Sequence, residues 1–167
     1  MRAWTFASTS EHSLLQQGLT QAQLELYAWP FDRRLMPEAQ RTEPGSIFTG
    51  GESSRDYASL LSAIEGLPVR LVMVPGTTST PQVRATGRLP FHQFLAEMAR
   101  AELVAIPVTT ERASGLTVLV AAMFLGKPVA VTRTRWTETY VEHLKDGLLV
   151  DHPDDWRSAL QTLLDDR

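Results

Sequence analysis

Two short stretches hold residue types that could bind a charged group and act on it. The first is Thr49-Gly50-Gly51-Glu52-Ser53-Ser54-Arg55. Paired glycines let a ligand approach the backbone closely, and an arginine at the next helix start is a fixed cation able to take a phosphate through two parallel hydrogen bonds. The second is Glu111-Arg112-Ala113-Ser114-Gly115-Leu116-Thr117. Here Gly115 opens a helix whose first free N–H groups, on Leu116 and Thr117, have the positive end of the helix dipole behind them and suit a phosphate or diphosphate. Taken singly, each has a plain alternative: a turn with a solvated arginine for the first, a buried helix between two strands for the second. Two anion-compatible loops on one sheet edge favour a common site.

The surrounding pattern supplies such an edge. From Ser46 onward, short apolar runs alternate with helical ones: strand 47–49, helix 55–65, strands 69–74 and 83–86, helix 91–101, strand 103–106. The central helix follows Gly115, then strand 129–132, helix 138–144, strand 148–150 and helix 154–164. Continuous apolar strands separated by helices predict a doubly wound α/β fold with a single parallel sheet, whose ligands bind at the carboxyl ends of the strands. The central helix carries apolar residues on more than one face and is expected to be buried between the sheet and another element. Before this unit, residues 1–36 form an appendage with a short strand near Trp4, a helix from 10 or 11 to 17 stopped by Gly18, and a strand over 24–29 ended by Pro30. The polar, proline-bounded stretch 37–45 reads as a linker, leaving 46–167 as the core domain.

Bulk properties exclude several functions. A chain of 167 residues with 43% hydrophobic and 21% charged residues builds one full core, and a net charge of -3 gives no bulk attraction for nucleic acid or anionic lipid. The absence of cysteine removes disulfides, thiolate metal sites and a cysteine nucleophile. No apolar run is long enough to span a bilayer and the N-terminus lacks a signal-peptide core, so a cytoplasmic location is expected. His12, His92, His143 and His152 lack metal-ligand spacing, and the acidic pairs Asp154-Asp155 and Asp165-Asp166 are explained by capping and solvation. There is no G-x-G-x-x-G after a strand and no G-x-S-x-G elbow; Gly126-Lys127 sits at a helix C-terminus, where the dipole repels anions.

The wording of the second stretch and its helix resembles the C-terminal, donor-binding domain of GT-B-fold, family-four-like (group 1) retaining glycosyltransferases. The resemblance lies in Glu111, Gly115-Leu116-Thr117 and Gly126-Lys127-Pro128-Val129, with Gly50-Gly51 and Arg55 in the place of that family's glycine loop and basic residue. It implies one Rossmann-like half of a GT-B fold, with the appendage as the remnant of an N-terminal domain. The implied function is binding of a nucleotide-diphosphate sugar as donor substrate, without metal or other cofactor, for transfer of the sugar to an acceptor. Glu111 would contact the sugar as the catalytic residue. Gly50, Gly51, Arg55, Ser114, Gly115, Leu116 and Thr117 would hold the diphosphate, and Arg133, Arg135, Trp136 and Glu138 are weaker candidates facing substrate. The pattern departs from the family at two points: Val120 stands where a second glutamate, the ribose contact, is expected, and Ala113-Ser114 makes the loop one residue longer. As only the donor half is recognisable, the expected partners are a separate N-terminal glycosyltransferase domain or a second copy of the chain. The alternatives are a non-catalytic nucleotide-sugar-binding or interaction module derived from such an enzyme, and an epimerase on the same fold.

Overall fold

The computed structural model describes residues 3–5, 14–26, 32–38, 40–109 and 113–166. Two short strands, β1 (Ala3–Thr5) and β2 (Leu24–Leu26), pair in parallel in the N-terminal part. The main sheet contains β3 (Ser46–Gly50), β4 (Arg70–Val74), β5 (Val83–Ala85), β6 (Leu103–Ile106), β7 (Val129–Thr132) and β8 (Leu148–Val150). All pairings are parallel, in the order β5-β4-β3-β6-β7-β8. The chain therefore winds outward from β3 in one direction, returns, and winds outward from β6 in the other. Between β3 and β6 lies the switch point, the crevice where ligands of such sheets bind.

The strands are apolar throughout because both faces are covered. Phe48, Val72, Val74, Val104, Ile106, Val129 and Val131 face a layer formed by helices α2 (Phe91–Arg100) and α3 (Leu116–Phe124). Ile47, Leu71, Leu103, Ala105, Ala130 and Val150 face the opposite layer, where Leu60 and Ile64 of α1 (Tyr57–Ile64) meet Trp156 and Leu160 of α4 (Trp156–Asp165). Local signals set the helix ends. The Asp56 side chain accepts from the Ser59 N–H and starts α1. Pro90 precedes α2, and a 3-10 turn over Pro153–Asp155 leads into α4. The expected burial of the central helix holds for Leu116, Val118, Leu119, Val120, Ala121 and Ala122, while Phe124 is left half-exposed at its end.

The predicted helix over 138–144 does not form. Only a 3-10 turn, Thr137–Thr139, occupies its start, and Leu144 adopts a left-handed backbone at φ 66. Side-chain bonds win here: Thr137 Oγ1 donates to the Thr132 carbonyl at 2.8 Å and receives the Thr134 N–H at 2.8 Å, and Asp146 accepts the Glu142 N–H at 2.7 Å. The helix predicted over 55–65 begins at Tyr57, because Arg55 is held extended in an antiparallel bridge to Val108. In the appendage, residues 14–16 are helical, 17 is already in the turn and Gly18 ends it at φ 94, while residues 10–13 of that helix and 27–29 of the predicted strand lie outside the described residues. The stretch read as a linker is tied to the sheet domain in its second half. The Glu43 N–H donates to the Arg100 carbonyl at 2.8 Å, and Lys127 Nζ donates to the Ala101 carbonyl at 2.8 Å and to Thr42 at 3.3 Å.

Candidate donor-binding cleft

The two loops singled out in the sequence meet at the switch point, one after β3 and the other after β6. They are stitched together by the backbone. The Asp56 N–H donates to the Pro107 carbonyl at 3.2 Å, and the Thr109 N–H donates to the Ser54 carbonyl at 3.1 Å. Arg55 adds a side-chain tie. Its Nε donates to the Gly50 carbonyl at 3.0 Å, and its Nη1 donates to the Ser53 carbonyl at 2.6 Å and to Ser114 Oγ at 2.8 Å. Ser114, which is buried, donates in turn to the Ser53 carbonyl at 2.8 Å. The Tyr57 hydroxyl donates to the Gly51 carbonyl.

Partial burial pushes the Arg55 guanidinium below the usual arginine value, with the nearby Tyr57 hydroxyl acting in the opposite direction. Desolvation of a cation explains the first effect. Among the described residues no carboxylate pairs with Arg55, so its charge is met by backbone carbonyls and by the Ser114 and Tyr57 hydroxyls.

The glycines have packing roles that the sequence did not disclose. A Cβ on Gly50 would lie 2.6 Å from the Phe94 ring, and one on Gly51 would run into the Arg55 guanidinium. The space expected for a ligand beside these two glycines is taken by Phe94 and Arg55. Gly51 also needs its freedom, with φ at 103. Gly115 caps α3 in the left-handed conformation, φ 80, and a Cβ there would lie 2.9 Å from Ile106 Cγ2. Among the described residues no side chain caps the helix at that point, and the first N–H groups of a helix have no partner within it. Leu116 can offer only its N–H, because its side chain is buried in the core; Thr117 is exposed.

Above these groups lies a cleft of about 430 Å³. Its polar end is formed by Gly51, Arg55 and the residues from Ser114 to Thr117, and its apolar end by Leu89, Phe91 and Phe94 at the start of α2. The aromatic end rises from the core in steps. Buried Phe48 meets Phe94 edge-on at 5.0 Å between centroids, and Phe94 stacks against the partly exposed Phe91 at 6.2 Å. Sequence reasoning missed this wall, although Leu89-Pro90-Phe91 at a helix start is a visible signal of apolar side chains near a strand end. Glu111, the expected catalytic residue, lies outside the described residues.

The weaker candidates are placed apart from this cleft. Arg133 donates to Asp151 at 2.6 Å and to Glu138 at 3.1 Å, and these two carboxylates hold its guanidinium above the usual arginine value. Trp136 packs onto the core. Val120 is buried within α3, so its side chain presents no contact to a ligand. His143 has a structural partner, its Nδ1 accepting the Leu149 N–H at 3.0 Å. Among the described residues no group of acidic or histidine side chains is placed to hold a metal ion, and no helix is long and apolar enough to cross a membrane.

A six-stranded, doubly wound sheet with an anion-compatible cleft at its switch point defines a Rossmann-like unit of the kind found in GT-B enzymes. The family described as Glycosyl transferases group 1 matches residues 39–166, and the chain belongs to that family. Comparison with curated proteins gives no match. Among solved structures, Anabaena HepE in complex with UDP superposes with a TM-score of 0.81 at 19% identity, over 99% of this chain and 54% of that one. Sucrose-phosphate synthase from Thermosynechococcus elongatus gives 0.74 at 17% identity, over 96% and 48%. The pneumococcal O-GlcNAc transferase GtfA in complex with UDP and GlcNAc gives 0.66 at 18%, over 95% and 36%. At such identities the likeness carries the fold. The chain spans about half the length of HepE and less of GtfA.

Proposed function

We propose that the chain is the donor-binding part of a retaining glycosyltransferase that takes a nucleotide-diphosphate sugar, with the diphosphate between Arg55 and the start of α3. The observation that supports this most is the joining of a helix N-terminus that no described side chain caps to an arginine that no described carboxylate neutralises, in one cleft. Both are anion-directed, and neither requires a metal ion. The UDP bound in structures of similar fold agrees with a nucleotide ligand. Glu111 is assigned to the sugar by family resemblance alone. The acceptor and the remaining wall of the cleft would come from an N-terminal glycosyltransferase domain or a second chain, and a cytoplasmic location fits this role.

A second function, a non-catalytic nucleotide-sugar-binding or interaction module, is favoured by one observation: the position of the family's second glutamate is a buried valine, Val120. A thermal-shift panel of UDP, GDP and their sugars in the presence of chelator tests both. Ligand at about a hundred times its dissociation constant should stabilise the chain by roughly 2.7 kcal/mol. If no nucleoside diphosphate raises the melting temperature, donor binding is wrong and the interaction module remains.

A further inference from the structure

Ser114 has a hydroxyl whose single proton is already committed. It is buried, receives Arg55 Nη1 at 2.8 Å and donates to the Ser53 carbonyl at 2.8 Å. The guanidinium is planar, so fixing Nε on the Gly50 carbonyl and Nη1 on Ser53 and Ser114 also fixes the direction of the third nitrogen, Nη2. Nη2 lies against Gly51 and 3.8 Å from where a Cβ on Gly115 would sit, with the Tyr57 hydroxyl as a further side-chain partner of the same guanidinium. The Gly115 position is beside the start of α3, which no described side chain caps.

We infer that Ser114 is a positioning residue for phosphate recognition: its hydroxyl locks Arg55 so that Nη2 stands next to the free N–H groups of α3 before the ligand arrives, and it does not itself touch the ligand. The inference rests on the donor-binding function proposed above. A preorganised donor loses little freedom when an anion binds, which is where a lock of this kind gains affinity. Loss of the hydroxyl should act on the diphosphate and leave the nucleoside part unaffected.

The test is a double-mutant cycle on the full chain with Ser114→Ala, Arg55→Ala and both together. Each is titrated calorimetrically with UDP and with uridine, and water exchange of the Arg55 Nε–H is followed by NMR without ligand in the parent and in Ser114→Ala. Ser114→Ala should speed that exchange and weaken UDP about tenfold, the size of one hydrogen bond to a charged group, while uridine binding stays the same. On the Arg55→Ala background, removing the Ser114 hydroxyl should cost nothing further. Unchanged exchange with unchanged UDP affinity overturns the inference. So does an equal loss for uridine and UDP, or a full additional loss on the Arg55→Ala background, which would mean a structural role or direct contact with the ligand. A parent chain that binds no nucleoside diphosphate sinks donor binding and the role of Ser114 together, whereas normal UDP binding by Ser114→Ala sinks the latter alone.

Discussion

Arg55 has two duties, and they separate by experiment. It holds the carbonyls of Gly50 and Ser53, so Arg55→Ala should lower unfolding stability by about 2 kcal/mol, as expected when hydrogen bonds to a charged group are lost. The same substitution should weaken UDP at least about tenfold relative to uridine. Urea unfolding and calorimetric titration read the two effects independently. UDP binding as tight as the parent's would move the phosphate away from this cleft. Thr49 makes the opposite case. Its hydroxyl is fully buried on β3 with no hydrogen-bond partner among the described residues. Thr49→Val keeps the shape and removes an unsatisfied polar group, so it should raise stability by about 1 kcal/mol. A lower unfolding midpoint would mean that the hydroxyl has a partner such as a buried water.

Among the elements, α3 is the one whose start matters most. Gly115→Ala requires a left-handed backbone from a residue that disfavours it and puts a methyl group 2.9 Å from Ile106 Cγ2. The helix start must shift, and a cost of about 1–3 kcal/mol follows. Diphosphate affinity should fall with it, because the N–H groups move with the first turn. Thermal melts and UDP titration of Gly115→Ala check this, and parental values in both would show that the turn tolerates a side chain.

The winding of the sheet was legible in the sequence because a parallel sheet covered on both faces makes each strand a short apolar block, as in Leu71 to Val74 and Leu103 to Ile106. The 138–144 stretch was misread because Thr137, just before it, bonds the backbone of Thr132 and Thr134, a local competition that periodicity does not register. At the site, the right loops were legible but not what fills them. Phe94 against Gly50 and Arg55 against Ser114 join segments far apart in sequence, and glycine pairs look alike whether a ligand or a neighbouring side chain takes the space. Tyr57 shows the same limit: a place inside the helix expected over 55–65 does not disclose that its hydroxyl reaches back to the Gly51 carbonyl.

For the molecule as a whole, the cleft is built on one sheet domain, and the chain spans 54% of the HepE chain it superposes on. A donor held at the edge of one such unit faces water on its other side and meets no acceptor wall. The chain alone should therefore bind nucleotide yet transfer no sugar, with slow donor hydrolysis at most, and transfer should appear on mixing with the chain or domain that supplies the other wall. Robust transfer by the purified monomer would contradict this.

The tie between Arg55 and Ser114 spans 59 residues, and during biosynthesis that span becomes time. At about 5–20 residues per second, Ser114 leaves the ribosome roughly 3 to 12 seconds after Arg55. For most of that interval a nascent chain carries the Gly50 loop with neither β6 nor α3 to receive it. A truncated product ending before α3 would present an arginine-bearing turn and half a cleft, so nucleotide protection against proteolysis would mark only those chains whose second half has been wound into place.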